Sequence, residues 1–139
     1  MQVNTKSKVG RRWILIKKYF GGQTDMSFLE KLFGPSVPSL TVTELSEKLK
    51  FGKHPMILDV RNPDEFRLGH ISGAKLIPLT ELYRHMKELP KGREIICICA
   101  SGSRSSSASK ILAKEGFTVF NVKGGMTAWR MAKLPVQKG

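Results

Sequence analysis

The residues with the clearest chemical potential are Cys99 and the run that follows it, Ala100, Ser101, Gly102, Ser103, Arg104 and Ser105. An inert cysteine sits among apolar neighbours, whereas this one precedes small and polar residues and then a helical pattern. Small residues let the chain curl so that successive backbone N–H groups point inward at the sulfur, and the following helix adds its positive end. Both effects favour the thiolate, and Arg104 adds a full cation. These are the conditions under which a thiol pKa falls from about 8.5 to between roughly 3.5 and 7.5. A thiolate held in this way attacks sulfur or phosphorus.

The second cysteine, Cys97, lies two residues earlier, on the same face if the segment is a strand. A disulfide between such close positions in an extended chain is strained. No other thiol is present, and Cys and His are too few and too scattered for a zinc pattern. A reducing compartment, the cytoplasm, is the expectation. Inside "IICIC", Cys97 reads as packing, with a resolving thiol as the minority reading.

The elements that must position Cys99 follow from the pattern after residue 38, where short apolar runs alternate with amphipathic helices. Thr41 and Glu44 form a capping box opening a helix to about Lys50, with Leu45 and Leu49 on its buried side. Strand-like runs follow at 55–60 ("PMILDV"), 74–79 ("AKLIPL"), 94–99 ("EIICIC") and 117–122 ("FTVFNV"). Between them, Asn62 and Pro63 start a short helix that stops near Gly69, and Thr80 caps "ELYRHMKEL". A helix beginning near Arg104 or Ser105 stops at Gly116, and Gly124 and Gly125 lead into a last short helix containing Trp129. Such alternation predicts a doubly wound, mostly parallel α/β sheet with helices on both faces. Ligands in such folds sit outside the carboxyl ends of the strands, where Cys99 is placed.

The chain has 139 residues, with 24 Lys+Arg against 11 Asp+Glu and a formal charge of +13. Seven of the bases and two of the acids fall within residues 1–37. A field of this sign attracts sulfur oxyanions, nucleic acid or acidic lipid alike, so charge chooses no partner. No apolar run is long enough to span a membrane. Residues 1–37, a basic and partly apolar N-terminal extension, have three readings. They form an arm touching a membrane surface, a targeting presequence lacking acids before Asp25, or a flexible extension upstream of a start at Met26. The flexible extension is preferred. Residues 38–139 form the catalytic domain.

Four stretches in order resemble the rhodanese family: "ILDVRNPDEF" for D-V-R-x-x-x-E-F, "GHISGA" for G-H-I-x-G-A, "CASGSRS" for C-x-x-G-x-R-S and "VKGGMTAWRMAKLPV" for the G-G-x-x-x-W ending. They cover roughly residues 39–136, and the extension has no counterpart. The resemblance implies a rhodanese-like sheet of about five strands and a thiosulfate sulfurtransferase working through a Cys99 persulfide, without metal or organic cofactor. Thiosulfate or a persulfide would be the donor, and a thiol or cyanide the acceptor. Donors in the loop 100–105 would hold the persulfide, with Ser105 donating to it, and Arg104, secondarily Arg61, would bind the anionic part of the donor. Small side chains at Ala100 and Ser103 would leave donor selectivity loose. Leu76 departs from the polar residue usual before I-P in the family.

Other readings compete. Arg61 ion-paired with Glu65 is a structural anchor, Asp59 orients backbone or hydroxyl groups, His70 bonds a loop rather than acting as a base, and Trp129 is core. A rhodanese-like module with an idle Cys99 is the first alternative function. A Cys-dependent phosphatase is the second, although C-x4-R is one residue shorter than the C-x5-R loop that phosphatases with a related fold use for phosphate.

Overall fold

The computed structural model describes residues 36–139 apart from Lys53. All three readings of the N-terminal extension concern residues outside those described. Val37–Gly139 form one unit, whose elements are β1 (Ser39–Leu40), α1 (Val42–Phe51), β2 (Met56–Asp59), α2 (Pro63–Arg67), β3 (Lys75–Leu76), α3 (Leu82–His85), β4 (Ile95–Ile98), α4 (Ser103–Lys114), β5 (Val119–Val122) and α5 (Gly125–Met131). Every strand pairing is parallel, in the order β1-β5-β4-β2-β3. The α/β sheet has the five expected strands.

Strand β4 lies at the centre, and all four of its residues are buried, as continuous apolar strands in doubly covered sheets must be. Its alternation divides the core. Ile95, Cys97 and the adjoining Cys99 pack with Leu112 of α4, Leu89 and Phe117. Ile96 and Ile98 face the other way, toward Leu45 of α1 and Met126 and Trp129 of α5. Two helical layers therefore hold the strand that ends at the cysteine. Trp129 is core, as expected, with its indole N–H donating to the Pro135 carbonyl at 2.9 Å.

Local chemistry accounts for most element ends. The capping box forms, with Glu44 N–H donating to Thr41 Oγ1 at 3.1 Å and Thr41 N–H to Glu44 Oε2 at 2.7 Å. Asn62 occupies the N-cap position of α2 without a side-chain bond, so Pro63 at the first helical position carries that start. The expected helix "ELYRHMKEL" is different: a 3-10 turn at Leu79–Glu81, the single turn α3, and a second 3-10 turn at Met86–Glu88. Thr80 is not a cap there: it lies inside the first 3-10 turn, which Glu81 N–H closes onto the Pro78 carbonyl at 2.8 Å, and Glu81 holds the N-cap position of α3. Strand β1 had no apolar run to announce it. It forms because Asn121 N–H and Lys123 N–H donate to the Pro38 and Leu40 carbonyls, at 3.0 and 2.8 Å.

Leu112 is fully buried where α4 meets the sheet. Leu112→Ala is expected to lower unfolding stability by about 2–5 kcal/mol, read as an earlier urea midpoint with an unchanged slope.

Candidate active site

Cys99 stands one residue beyond β4, and the chain turns through residues 100–102 into α4. Gly102 makes the turn at φ 104°, in the left-handed region, at the N-cap position of the helix. From there its N–H donates to Cys99 Sγ at 3.1 Å, and the Ser105 hydroxyl donates at 3.3 Å. Ser109 bonds back to the Ser105 carbonyl at 2.7 Å. Burial, the largest single influence, pushes the fully buried Cys99 thiol up. The Ser105 hydroxyl and the backbone N–H groups of Ser105, Gly102 and Ser101 outweigh it together, and the net pKa is lowered. The anticipated cradle is present.

Its orientation is set from outside the loop. The first turn of α5 donates to the carbonyls of the cysteine segment, Met126 N–H to Cys99 O at 2.8 Å and Thr127 N–H to Ala100 O at 3.0 Å. Carbonyls held there leave the amide N–H groups for the sulfur. Gly125, at φ 53°, permits this approach, since a Cβ would lie 2.3 Å from Cys99 O and 2.7 Å from Ala100 O. The sequence showed Gly124 and Gly125 only as a helix start; two adjacent glycines after a strand were the available signal for a close backbone approach.

The two arginines are placed differently from the sequence expectation. Arg61 does not pair with the Glu65 carboxylate. It is 2 % exposed, with Nε and one terminal nitrogen on Asp59 and its remaining donors on the carbonyls of Glu65 and Gly69. Buried and with all three nitrogens engaged, it is turned into the fold. Asp59 accepts from the Arg61 backbone N–H and guanidinium, so it orients that arginine. The Glu65 carboxylate instead takes both terminal nitrogens of Arg104, at 2.8 and 2.7 Å. That contact holds Glu65 below its ordinary pKa and Arg104 above its own. Binding of the donor by the Arg104 fork therefore meets a guanidinium already committed to a carboxylate.

Among the remaining loop residues, Ser101 and Ser103 are exposed, while Ala100 and Gly102 are half-buried. His70 is buried, stacks on Phe66 at 3.7 Å between ring centroids, and places Nδ1 2.9 Å from the Phe66 carbonyl, a structural position. Burial pushes the Cys97 thiol up to about 12, partly opposed by the Ser109 hydroxyl. Among the described residues, no group of three or more His, Cys, Asp or Glu is placed to hold a metal ion.

Residues 41–132 match the family model for the rhodanese-like domain. The putative sulfur carrier protein YrkF of Bacillus subtilis is 38% identical over 95 residues, 68% of this chain and 51% of that protein, so the match spans about half the relative's length. A sulfurtransferase of Allochromatium vinosum is 34% identical over 93 residues, covering 66% of this chain and 87% of the relative. The crystal structure of a rhodanese-related protein from Thermoplasma volcanium superposes with a TM-score of 0.69 at 32% identity, over 73% of this chain and 99% of that one.

Two measurements check the cradle. Ser105→Ala is expected to slow iodoacetamide alkylation of Cys99 about tenfold near pH 6.5, with Cys97 unreacted in both proteins. The lowered Cys99 pKa makes its contribution to stability present above the unfolded-state thiol pKa and lost as pH falls through the folded value. Cys97, with its raised pKa, contributes below the unfolded value and loses that contribution as pH rises toward about 12. Gly125→Ala is expected to cost about 2 kcal/mol or more in urea unfolding and to slow Cys99 alkylation in the protein that remains folded.

Proposed function

Because this chain belongs to the rhodanese family, we propose that it is a sulfurtransferase that moves sulfane sulfur from an anionic donor, thiosulfate or a persulfide, to a nucleophilic acceptor through Cys99. The observation that carries this reading is the convergence of the Gly102 N–H and the Ser105 hydroxyl on a single cysteine sulfur, at 3.1 and 3.3 Å. The Cys99 thiolate attacks the outer sulfur of thiosulfate, forming an S–S bond as the bond within the donor breaks. Sulfite leaves with the electron pair, and Cys99 carries a persulfide. The loop donors stabilise negative charge on the terminal sulfur, as an oxyanion hole does for oxygen. A thiolate or cyanide then attacks that sulfur, and Cys99 departs as the thiolate that began the cycle.

In each step the S–S bond broken leaves its electron pair on the departing group as the attacking nucleophile supplies another, so no external redox partner is consumed and the residues needed are hydrogen-bond donors. Cys99 is fully covered in the resting structure, so donor access is a loop motion included in the observed rate. The four residues between Cys99 and Arg104 favour a compact sulfur over a tetrahedral phosphate.

Intact-mass spectrometry after thiosulfate treatment tests the reading. Wild type and Cys97→Ser are expected to gain about 32 Da, one sulfur, which cyanide removes as thiocyanate. Cys99→Ser is expected to gain nothing. Absence of the adduct from wild type, together with hydrolysis of an aryl phosphate, would replace sulfur transfer by phosphatase chemistry.

A further inference from the structure

An anionic donor needs a cation at the mouth, and both arginines expected to supply it are paired with carboxylates. At the carboxyl ends of the five strands the connecting residues are Thr41 after β1, 60–62 after β2, 77–78 after β3, 99–102 after β4 and 123–124 after β5. These connections and the first turn of α4 carry three cations, Arg61, Arg104 and Lys123. Asp59 neutralises the first and Glu65 the second. Lys123 is exposed and has no carboxylate partner among the described residues.

Its register places it beside the cysteine. Strands β4 and β5 align Ile95 with Val119 and Cys97 with Asn121, and Cys99 and Lys123 each lie two residues past that last pair, one residue beyond the ends of the two adjacent strands. The Lys123 N–H still donates to Leu40 at 2.8 Å, which carries the β1 ladder to that residue. Gly102, the donor to Sγ, lies against both of its neighbours: a Cβ there would be 3.4 Å from Val122 O and from Gly124 N. The Lys123 backbone therefore borders the loop, and its exposed side chain carries a charge with no carboxylate partner among the described residues.

We propose that Lys123 recruits the anionic group of the sulfur donor, giving the enzyme its preference for donors with an oxyanion end. This rests on the sulfur-transfer reading for the identity of the donor. The attraction itself requires only a negatively charged reagent approaching Cys99. Lysine acts here as a mobile point charge, suited to a donor that must leave as sulfite once its sulfur is delivered.

The test compares alkylation of Cys99 by iodoacetate, an anion, with alkylation by neutral iodoacetamide, quantified by peptide mass. Lys123→Gln is expected to lower the iodoacetate-to-iodoacetamide rate ratio about threefold at low salt. Lys123→Arg restores the ratio, Lys110→Gln on the exposed side of α4 leaves it unchanged, and about 0.5 M salt shrinks the difference. Steady-state turnover of Lys123→Gln with thiosulfate shows a raised KM and an unchanged kcat. A lowered ratio in a protein that forms no persulfide retains Lys123 as the anion recruiter and removes sulfur transfer. Persulfide formation with an unchanged ratio and KM in Lys123→Gln retains sulfur transfer and overturns the role of Lys123.

Discussion

The carbonyl groups of Cys99 and Ala100 have to be occupied elsewhere if the amides around them are to serve a thiolate. A peptide unit presents its N–H and its C=O in opposite directions, so a loop that turns donors inward must send acceptors outward and satisfy them there. Helix α5 provides that satisfaction with the N–H groups of its own first turn, which have no intrahelical partners. Two deficits cancel: the helix start needs acceptors and the cradle needs its acceptors removed. The arrangement requires backbone to approach backbone, and that approach is closed to any residue with a Cβ at position 125. The loop after Cys99 is thus held as firmly by a segment more than twenty residues away as by its own sequence.

Charge is distributed around the loop under a similar constraint. Arg61 and Asp59 form a buried pair in which all three guanidinium nitrogens and both carboxylate oxygens are bonded, linking the end of β2 to the carbonyls of Glu65 and Gly69. Removing one member of such a pair strands the other without solvent, a cost of about 3–5 kcal/mol. Through the Glu65 segment it supports α2, whose carboxylate takes the Arg104 fork at the start of α4. The two ion pairs form a tie across the carboxyl end of the sheet, with Arg61 buried inside it and Arg104 partly exposed at its edge. A paired cation beside the sulfur still favours the thiolate at a distance, and Arg104 keeps three of its five N–H groups outside the Glu65 contact.

The sequence carried the parallel sheet, the covered central strand and the thiolate cradle, because each rests on local rules: apolar runs of four, a threonine-glutamate capping box, a glycine among small polar residues. It missed β1, a two-residue strand that exists through bonds to Pro38 and Leu40, and it read residues 81–89 as one helix where the chain tightens into separate turns. The partners of the arginines were also illegible. Arg61 and Glu65 lie at helical spacing, which suggests a pair, whereas Arg104 reaches Glu65 across 39 residues and only the tertiary fold brings them together. The cap on the Cys99 carbonyl is likewise nonlocal. Spacing reported which residues share a face; it could not report which of several competing acceptors wins each donor.

Cys97 and Cys99 make the same point within one strand. Both lie on the same face, belong to one core cluster and are fully buried. Burial acts on each in the same direction, against the charged form, and a rule based on burial alone would make both inert. For Cys97 burial prevails and pushes the thiol up to about 12. For Cys99 the donors of Ser101, Gly102 and Ser105 reverse it. The difference arises over two residues, where the strand ends and its amides cease to be bound by neighbouring strands. Ladder hydrogen bonds consume N–H groups throughout the sheet, so a thiol within it has few available to it. A thiol just past the end meets amides not yet claimed by the sheet and not yet inside a helix. The position of the lowered thiol pKa is therefore fixed by where the strand stops as much as by which residue stands there.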